Sequence, residues 1–301
     1  PLGSTGVQVS LLCLGGSHIG EVKSPKKAAR IVHAAMEAGL DFFDCAWEYH
    51  EGRSEDWLGR ALEGRRDRAF VMSKVCTHGR DASVAMRMLE ESLTRLRTDH
   101  LDLWQVHEVA YGNDPERHYA AGGVLEALTR AKEQGKVRFV GFTGHKDPAL
   151  HLDMLARGYP FDTVQMPLNA FDGTGFRSFE QQVLPEVNRR GMAALGMKSM
   201  SGHGDPVVAG VLTAEEALGY ALSLPVAAIV SGIDSMSVLR QNLNLVGGFT
   251  PLPKKELDRI RAKVAPEAGD GRYELFKTSA KYDGDEGRAQ HAFPLHDELA
   301  G

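Results

Sequence analysis

Cysteine is scarce in this chain of 301 residues, and that scarcity argues against several kinds of site. The three cysteines, Cys13, Cys45 and Cys76, are far apart, and none belongs to a C-x-x-C pair. Zinc knuckles and iron–sulfur clusters need several closely spaced cysteine ligands, and a disulfide framework needs a dense, even set. The sequence therefore favours a reducing, cytoplasmic setting without any of these three features.

Long hydrophobic runs and a surplus of positive charge are also missing. No apolar stretch approaches the ~20 residues that span a bilayer, and the N-terminus has no signal-peptide pattern. The chain contains 35 Lys+Arg against 40 Asp+Glu, which gives a formal net charge of −5. Because no basic surface is indicated, we expect neither nucleic acid nor a membrane among its partners.

The remaining composition is that of a globular protein, with 43% hydrophobic and 25% charged residues. Short apolar runs alternate with longer amphipathic runs, and this alternation predicts eight strand–helix units. The predicted strands are 9–16, 41–46, 69–75, 101–107, 137–145, 162–169, 192–199 and 227–234. The predicted helices are 26–39, 54–64, 82–99, 123–136, 148–158, 179–191, 214–225 and 237–246.

Eight such units in one series predict an α/β protein of the (β/α)8 barrel class, residues 1–301 forming a single domain. The alternative is an open, doubly wound sheet, which typically has G-x-G-x-x-G after its first strand. The residues there, Leu14-Gly15-Gly16-Ser17, do not supply that motif. From about Pro251 the pattern becomes polar and irregular, which indicates a helix and then a tail over the barrel surface.

Active sites of (β/α)8 barrels lie at the carboxyl ends of the strands, so polar side chains there are the candidates. Asp44, Lys74 and His107 occupy equivalent positions on three successive strands, and Tyr49 follows closely enough to fold back over the barrel. An ammonium beside a phenol lowers the pKa of the phenol, and a carboxylate holds the ammonium in place. A nearby histidine can orient a carbonyl oxygen. The other candidates at strand ends are Ser17, His18, Thr143, His145, Gln165, Asn169, Lys198, Ser199, Ser231 and Asp234.

These residues lie within longer segments by which the chain resembles the aldo/keto reductases. The segments are LGSTGVQVS (2–10), GLDFFDCAWEYHEGRSEDWLGRAL (39–62), SKV around Lys74, LDLWQVH ending at His107, VRFVGFTGH, TVQMPLN and SGIDSMSVLRQNL (231–243). The string D-x-A-x-x-Y…S-E-x-x-L-G-x-A-L is specific, and the likeness extends to about residue 245. Because the LG-x-TG start continues in register, residues 1–4 are expected to be native rather than an expression remnant.

The resemblance implies an NAD(P)(H)-dependent oxidoreductase in which hydride passes directly to an aldehyde or ketone carbon, or back from an alcohol or sugar. It implies Tyr49 as general acid, Lys74 as the group that lowers its pKa, Asp44 as the partner of Lys74 and His107 as the carbonyl-orienting residue. Gln165 and Asn169 match residues that hold the nicotinamide carboxamide. The full set expected to bind the cofactor is Thr143, Gln165, Asn169, Lys198, Ser199, Ser231, Gly232, Asp234, Arg240 and Asn242.

Several positions depart from the family pattern. Gly144 stands where many members have an asparagine. MKSMSG after the seventh strand replaces Y-S-P-L, so Lys198 or Met197 takes the place of a stacking aromatic. Asp234 would repel a 2′-phosphate and accept a hydrogen bond from a ribose hydroxyl, which favours NAD. Arg240 and the family pattern favour NADP, so the choice between the two stays open.

The substrate is expected to be a small carbonyl compound, an alcohol or a sugar, and no metal is expected. The candidate residues of the substrate wall are His18, Trp47, His50 and Tyr111, and His203 is a further candidate. This mixture of imidazole and aromatic side chains suits a sugar or an aromatic aldehyde. Two alternatives remain open: a lyase that forms a Schiff base through Lys74 or Lys198, and a cofactor-sensing regulatory subunit. A metal hydrolase using His18, His107 and His145 is disfavoured because the first strand lacks H-x-H.

Overall fold

The computed structural model describes residues 1–76, 80–175, 177–290, 292–295 and 298. Eight parallel strands close into a barrel in sequence order, with β1 pairing with both β2 and β8. The strands are β1 Leu12–Gly15, β2 Phe42–Asp44, β3 Phe70–Val75, β4 Leu101–Val106, β5 Val137–Thr143, β6 Thr163–Pro167, β7 Ala193–Met197 and β8 Ala228–Gly232. The prediction of a (β/α)8 barrel is thus confirmed, and the open sheet is excluded.

Helices surround the barrel and join its strands. They are α1 Gly16–Glu21, α2 Pro25–Glu37, α3 Arg53–Leu62, α4 Ala82–Leu96, α5 Asp114–Tyr119, α6 Val124–Glu133, α7 Pro148–Ala156, α8 Phe179–Gln182, α9 Leu184–Arg189, α10 Asp205–Val208, α11 Ala214–Leu222, α12 Met236–Val246, α13 Lys254–Ala268, α14 Leu275–Thr278 and α15 Asp285–Gln290. A 3-10 segment, Tyr49–Gly52, precedes α3.

Local sequence explains where the helices begin and break. The Ser24 hydroxyl accepts a hydrogen bond from Lys27 N at the start of α2, and Pro25 occupies its first turn. Thr213 and Glu216 form a reciprocal capping box on α11. The single helix predicted at 179–191 is wrong, because the chain forms α8 and α9 with a break at Val183, and Pro185 lies in the first turn of α9.

The core has two layers. Residues facing the barrel interior form a cluster that includes Phe42, Met72 and Leu103, and Leu2 closes the end of the barrel where the strands begin. The larger cluster lies between strands and helices and contains Trp104, which is fully buried. The opposite end, where the strands finish, is left for polar side chains, and we call it the mouth.

The C-terminal segment crosses the mouth, in agreement with the predicted helix and tail. His145 Nδ1 lies 3.1 Å from the carbonyl oxygen of Phe276, and Lys146 Nζ lies 2.6 Å from Asp283 Oδ1. Gly284 N donates to both carboxylate oxygens of Glu108, at 3.0 and 2.9 Å. The segment therefore covers the mouth next to β4 and β5.

Candidate active site

A cleft of about 670 Å³ opens at the mouth of the barrel. Its lining comes from the ends of several strands, from the segment after β7 and from the C-terminal segment. Lining residues include Ser17, His18, Asp44, Glu48, Tyr49, His107, Glu108, Thr143, His145, Gln165, Lys198, Ser199, His203, Ser231, Gly232, Asp234, Tyr282, Gly284 and Asp285. Of the eighteen residues predicted to act in catalysis, cofactor binding or the substrate wall, eleven line it, and Lys74 lies buried beneath them.

Lys74 joins three groups at the floor of the cleft. It projects from β3, and its Nζ forms an ion pair with Asp44 at the end of β2. The same nitrogen donates to the Cys45 carbonyl oxygen at 2.7 Å and to the Tyr49 hydroxyl at 3.3 Å. Parallel strands place the ends of β2 and β3 side by side, and the 3-10 segment returns Tyr49 over them. The structure therefore brings together the predicted carboxylate, ammonium and phenol.

The electrostatic environment keeps both the Lys74 ammonium and the Tyr49 phenol protonated. Burial would lower the pKa of Lys74, but Asp44 and Tyr49 raise it well above its ordinary value. Burial raises the pKa of Tyr49, Lys74 lowers it, and Asp44 raises it further, so the net direction is upward. Lys74 thus acts on Tyr49 in the expected direction, yet burial outweighs it and the phenol stays protonated near neutral pH.

His107 follows β4 and faces Tyr49 across the cleft. The two rings meet edge to face with centroids 5.7 Å apart. The His107 Nδ1 atom contacts the Glu48 carboxylate, and both side chains are 15% exposed. His107 is therefore close to the phenol that the sequence predicts to be the proton donor, and it has an acidic neighbour that the sequence did not predict.

Glu108 is a second acidic residue that sequence reasoning missed. It is buried, it has a left-handed backbone with φ of 58°, and its Oε1 lies 3.4 Å from His145 Nε2. Burial and the Glu48 carboxylate raise the pKa of Glu108 to about 8. Its position directly after His107, at the end of β4, is the only sequence signal that would have marked it.

The predicted cofactor residues separate into two groups. Thr143, Gln165, Lys198, Ser199, Ser231, Gly232 and Asp234 line the cleft. Asn169 is buried outside the lining, where its Oδ1 accepts from Phe171 N and Asp172 N and its Nδ2 donates to the Lys198 carbonyl. Asn242 is also outside the lining and donates to the Ser231 hydroxyl at 3.0 Å, while Arg240 is exposed on α12. Asn169 and Asn242 thus hold cleft residues in position.

Lys198 and His18 both line the cleft, and each contacts a different part of its wall. The Lys198 ammonium faces the rings of Tyr282 and Phe276, with Nζ 4.8 and 5.3 Å from the ring centroids. Burial lowers the pKa of Lys198 to about 8. The His18 ring covers the α-carbon of Gly232, where a Cβ would come within 2.4 Å of it. A Cβ at position 232 would therefore displace the His18 ring.

Three of the four predicted substrate walls lie outside the cleft. The Trp47 indole donates to Glu91 at 2.7 Å on the helical side of the barrel. His50 Nε2 lies 2.9 Å from the Ser17 carbonyl oxygen, and the Tyr111 ring packs against Phe293 at a tilt of 57°. His18 does line the cleft, as does His203, whose ring stacks on Tyr282 at 5.5 Å. Left-handed residues at 50 and 51 turn the chain towards α3, and the substrate roles of Trp47, His50 and Tyr111 stay predictions.

The described residues show neither a metal cluster nor a membrane helix. Within the ranges that the structure describes, no three His, Cys, Asp or Glu side chains are grouped so as to hold a metal ion. In the same ranges, every helix is too short or too polar to cross a bilayer. All three cysteines lie in described segments, are buried and form no disulfide.

Comparison with known proteins identifies the family of this chain. A model of the aldo/keto reductase family matches residues 11–204. The chain belongs to the aldo/keto reductase family. Members of this family are NAD(P)-dependent oxidoreductases that act on carbonyl and alcohol groups.

The following individual relatives share between 22% and 30% identity with the chain. The chain is similar to L-galactose dehydrogenase of Arabidopsis thaliana, with 30% identity over 155 residues, covering 48% of this chain and 47% of that protein. It is 28% identical over 199 residues to the aldo-keto reductase YhdN of Bacillus subtilis, covering 61% and 56%. These alignments span about half the length of each relative. An aldo-keto reductase structure from Klebsiella pneumoniae, in complex with NADPH, superposes with a TM-score of 0.72 at 22% identity, covering 85% of this chain and 92% of that one.

Proposed function

We propose that this chain reduces an aldehyde or ketone with NAD(P)H, or oxidises the matching alcohol or sugar, through Tyr49, Lys74, Asp44 and His107. The contact that carries this proposal is the hydrogen bond from Lys74 Nζ to the Tyr49 hydroxyl, with Asp44 paired to the same nitrogen. Family membership supports this proposal. The geometry also supports it, because it provides a proton donor beside a cleft large enough for a small-molecule ligand.

The proposed proton donor is ready in its acid form. Because burial raises the pKa of Tyr49, the phenol holds its proton near neutral pH. That proton passes to the carbonyl oxygen during reduction, and the Lys74 ammonium stabilises the phenolate that remains. His107 contacts the same oxygen and fixes its position against Tyr49. A nicotinamide cofactor held in this cleft would supply the hydride for the carbonyl carbon.

The residues of the cleft suit a dinucleotide. Gln165 offers an amide for a carboxamide, Ser199 and Lys198 offer a hydroxyl and an ammonium for phosphate, and Asp234 offers a carboxylate for a ribose hydroxyl. The left-handed glycines Gly202 and Gly204 line the same cleft and let the backbone after β7 approach a ligand closely. The Klebsiella pneumoniae relative in complex with NADPH supports this assignment.

The test is a fluorescence titration with NADPH and with NADH, followed by turnover of a generic aromatic aldehyde with the cofactor that binds. Tyr49→Phe should lower kcat by about 10²–10⁴-fold, the range of general acid catalysis, and leave cofactor affinity near that of wild type. Tyr111→Phe is the matched control, because Tyr111 lies outside the cleft lining. Equal turnover in wild type and Tyr49→Phe would refute the assignment of Tyr49.

A second candidate function, Schiff-base formation, is favoured only at Lys198. The raised pKa of Lys74 keeps its amine protonated and therefore unreactive, whereas the pKa of Lys198 is lowered to about 8. Borohydride treatment with an aldehyde should then trap an adduct in wild type but not in Lys198→Met. Absence of a trapped adduct in wild type would exclude this candidate.

A further inference from the structure

Glu48 is the acidic side chain in contact with the Nδ1 edge of the His107 ring. Its Oε1 contacts His107 Nδ1, and the residue directly precedes Tyr49 in the chain. Its other oxygen, Oε2, accepts a hydrogen bond from Cys76 Sγ at 2.7 Å. Each carboxylate oxygen thus has its own contact, Oε1 with the His107 ring and Oε2 with the Cys76 thiol.

The surroundings keep Glu48 ionised. Burial alone would raise its pKa, but His107, Cys76 and Lys74 together lower the pKa to about 2. The carboxyl of Glu108 in the same cleft shows the opposite behaviour, because burial and Glu48 raise its pKa to about 8. Near neutral pH the cleft therefore contains one ionised and one largely protonated glutamate.

We propose that Glu48 is a positioning residue that holds a proton on Nδ1 of His107. A neutral imidazole carries one proton, so a ring that keeps it on Nδ1 presents only a lone pair at Nε2. Nε2 can then donate to a substrate oxygen only when His107 is an imidazolium. This inference rests on the proposed function, because it assigns the state of the carbonyl-orienting residue.

The consequence for reduction is electrostatic. Hydride adds to the carbonyl carbon, the proton of Tyr49 moves to the oxygen, and His107 keeps both of its own protons. An imidazolium brings a full positive charge to the oxygen while negative charge develops there, which a neutral imidazole does not. Ionised Glu48 stabilises that imidazolium throughout the step.

Other titratable groups also act on this pair and bear on its pH dependence. Tyr49 faces the ring of His107, and Cys76 and Lys74 act on Glu48. Asp44 and Glu108 interact electrostatically with His107. Glu108 in turn contacts His145 and interacts electrostatically with Asp283 of the C-terminal segment. The charged and titratable residues around the pair are Asp44, Tyr49, Lys74, Cys76, Glu108, His145, Lys198 and Asp283.

The direct test is NMR of the full chain labelled with ¹⁵N-histidine, with the His107 signals assigned by their loss in His107→Gln. In wild type, the Nδ1 signal should show a bound proton across neutral pH. In Glu48→Gln, the midpoint of the His107 titration should fall by about one pH unit or more, because an ionised partner has been removed. An unchanged midpoint in folded Glu48→Gln would overturn the proposal.

Two further variants separate pairing from general charge effects. Glu48→Asp keeps the carboxylate and should recover part of the wild-type midpoint. Glu108→Gln removes a carboxyl from the same cleft that is largely uncharged at neutral pH, so the midpoint should move much less than in Glu48→Gln. Equal shifts in Glu48→Gln and Glu108→Gln would contradict a specific pair.

A kinetic measurement links the pair to the reaction. Reduction by Glu48→Gln should show kcat/KM lowered roughly 10- to 100-fold, less than the ~10²–10³ of deleting an oxyanion donor, with its alkaline limb moved to lower pH. The dissociation constant for NADPH should be unchanged. If wild type reduces no carbonyl, the proposed function fails, yet the NMR titration still decides whether Glu48 holds His107. Wild-type kcat/KM and pH profile in Glu48→Gln would overturn the role in reduction.

Discussion

Lys74 is the residue on which the proposed chemistry of the mouth depends, since one nitrogen contacts the Asp44 carboxylate and the Tyr49 hydroxyl. Its position could be predicted because alternation along neighbouring parallel strands fixes which side chains face the interior. Glu48 and Glu108 could not be found this way. They belong to loops after strands, where backbone conformation decides direction, and Glu108 has a left-handed φ of 58°.

At residue scale, Asp234 is predicted to set cofactor preference. It is exposed and lines the cleft directly after β8, so Asp234→Arg replaces a repelling carboxylate with a guanidinium for a 2′-phosphate. A charge-assisted hydrogen bond contributes about 1.5–3 kcal/mol, so the NADPH-to-NADH affinity ratio should rise about 10- to 100-fold.

The control for this change is Asp67→Arg. Asp67 is exposed and precedes β3, at the opposite end of the barrel. Asp67→Arg therefore makes the same change in net charge far from the cleft. Both affinities are measured by fluorescence titration. A ratio that stays the same in Asp234→Arg, or rises equally in Asp67→Arg, would show that Asp234 does not face the ribose.

At the scale of elements, α14 is tied to the segment after β6 by a buried cation. Lys277 Nζ contacts Asp172 Oδ1 at 2.6 Å and Glu274 Oε1 at 2.9 Å, and its side chain is 1% exposed. Asp172 also accepts from Phe179 N and Glu180 N at the start of α8. One ion cluster therefore joins α8, α14 and the loop after β6.

Breaking this cluster on one side should be costly. Lys277→Met leaves two buried carboxyl groups without their cation and should lower the free energy of unfolding by about 3–5 kcal/mol. Lys254→Met is the matched control, because Lys254 pairs with Asp258 at 2.5 Å on the exposed side of α13, and exposed pairs contribute only about 0–1 kcal/mol. Urea denaturation measures both. Similar losses in the two variants would contradict the assignment of a buried cluster.

How far elements could be predicted depended on their length. All eight strands and the long helices were anticipated, because apolar periodicity extends over enough residues to be distinctive. The short helices α1, α5 and α10 were not, since four to six residues carry too little pattern. The direction of the chain after Tyr49 could not be predicted for a related reason, because the non-glycine residues His50 and Glu51 both have a left-handed backbone before Gly52.

At the scale of the whole molecule, buried titratable groups of opposite kind shape the dependence of stability on pH. Burial lowers the pKa of His118 and of His151 to about 4 and that of His145 to about 3. Below pH 6.5 the unfolded chain takes up protons at these histidines while the folded protein does not, so stability falls as pH falls. Glu108 and Glu274, with pKa values raised to about 8 and 7, act oppositely and lose stability as pH rises above 4.5. Stability is therefore expected to be greatest near pH 6–7.

His118 provides a test of this balance. It is buried, and neither ring nitrogen has a hydrogen-bond partner among the described residues. His118→Phe should remove about one proton, or about 1.4 kcal/mol per pH unit, from the slope of unfolding free energy between about pH 6 and 4.5. Urea denaturation at a series of pH values measures the slope. A wild-type slope in His118→Phe would show that His118 does not contribute.

The order of residues around the barrel divides the site by sequence. The proposed proton-handling residues come from β2, β3, β4 and their following segments, all within residues 44–107, whereas the proposed cofactor residues come from 143–242. The strands follow sequence order around the closed barrel. Proton transfer and cofactor binding are therefore each encoded by one contiguous gene segment. Recombination between relatives at the β4–β5 junction would exchange cofactor preference and leave the acid–base residues inherited together. Mutations that adapt this enzyme to a new cellular cofactor supply can thus accumulate in the second half while the first stays constant.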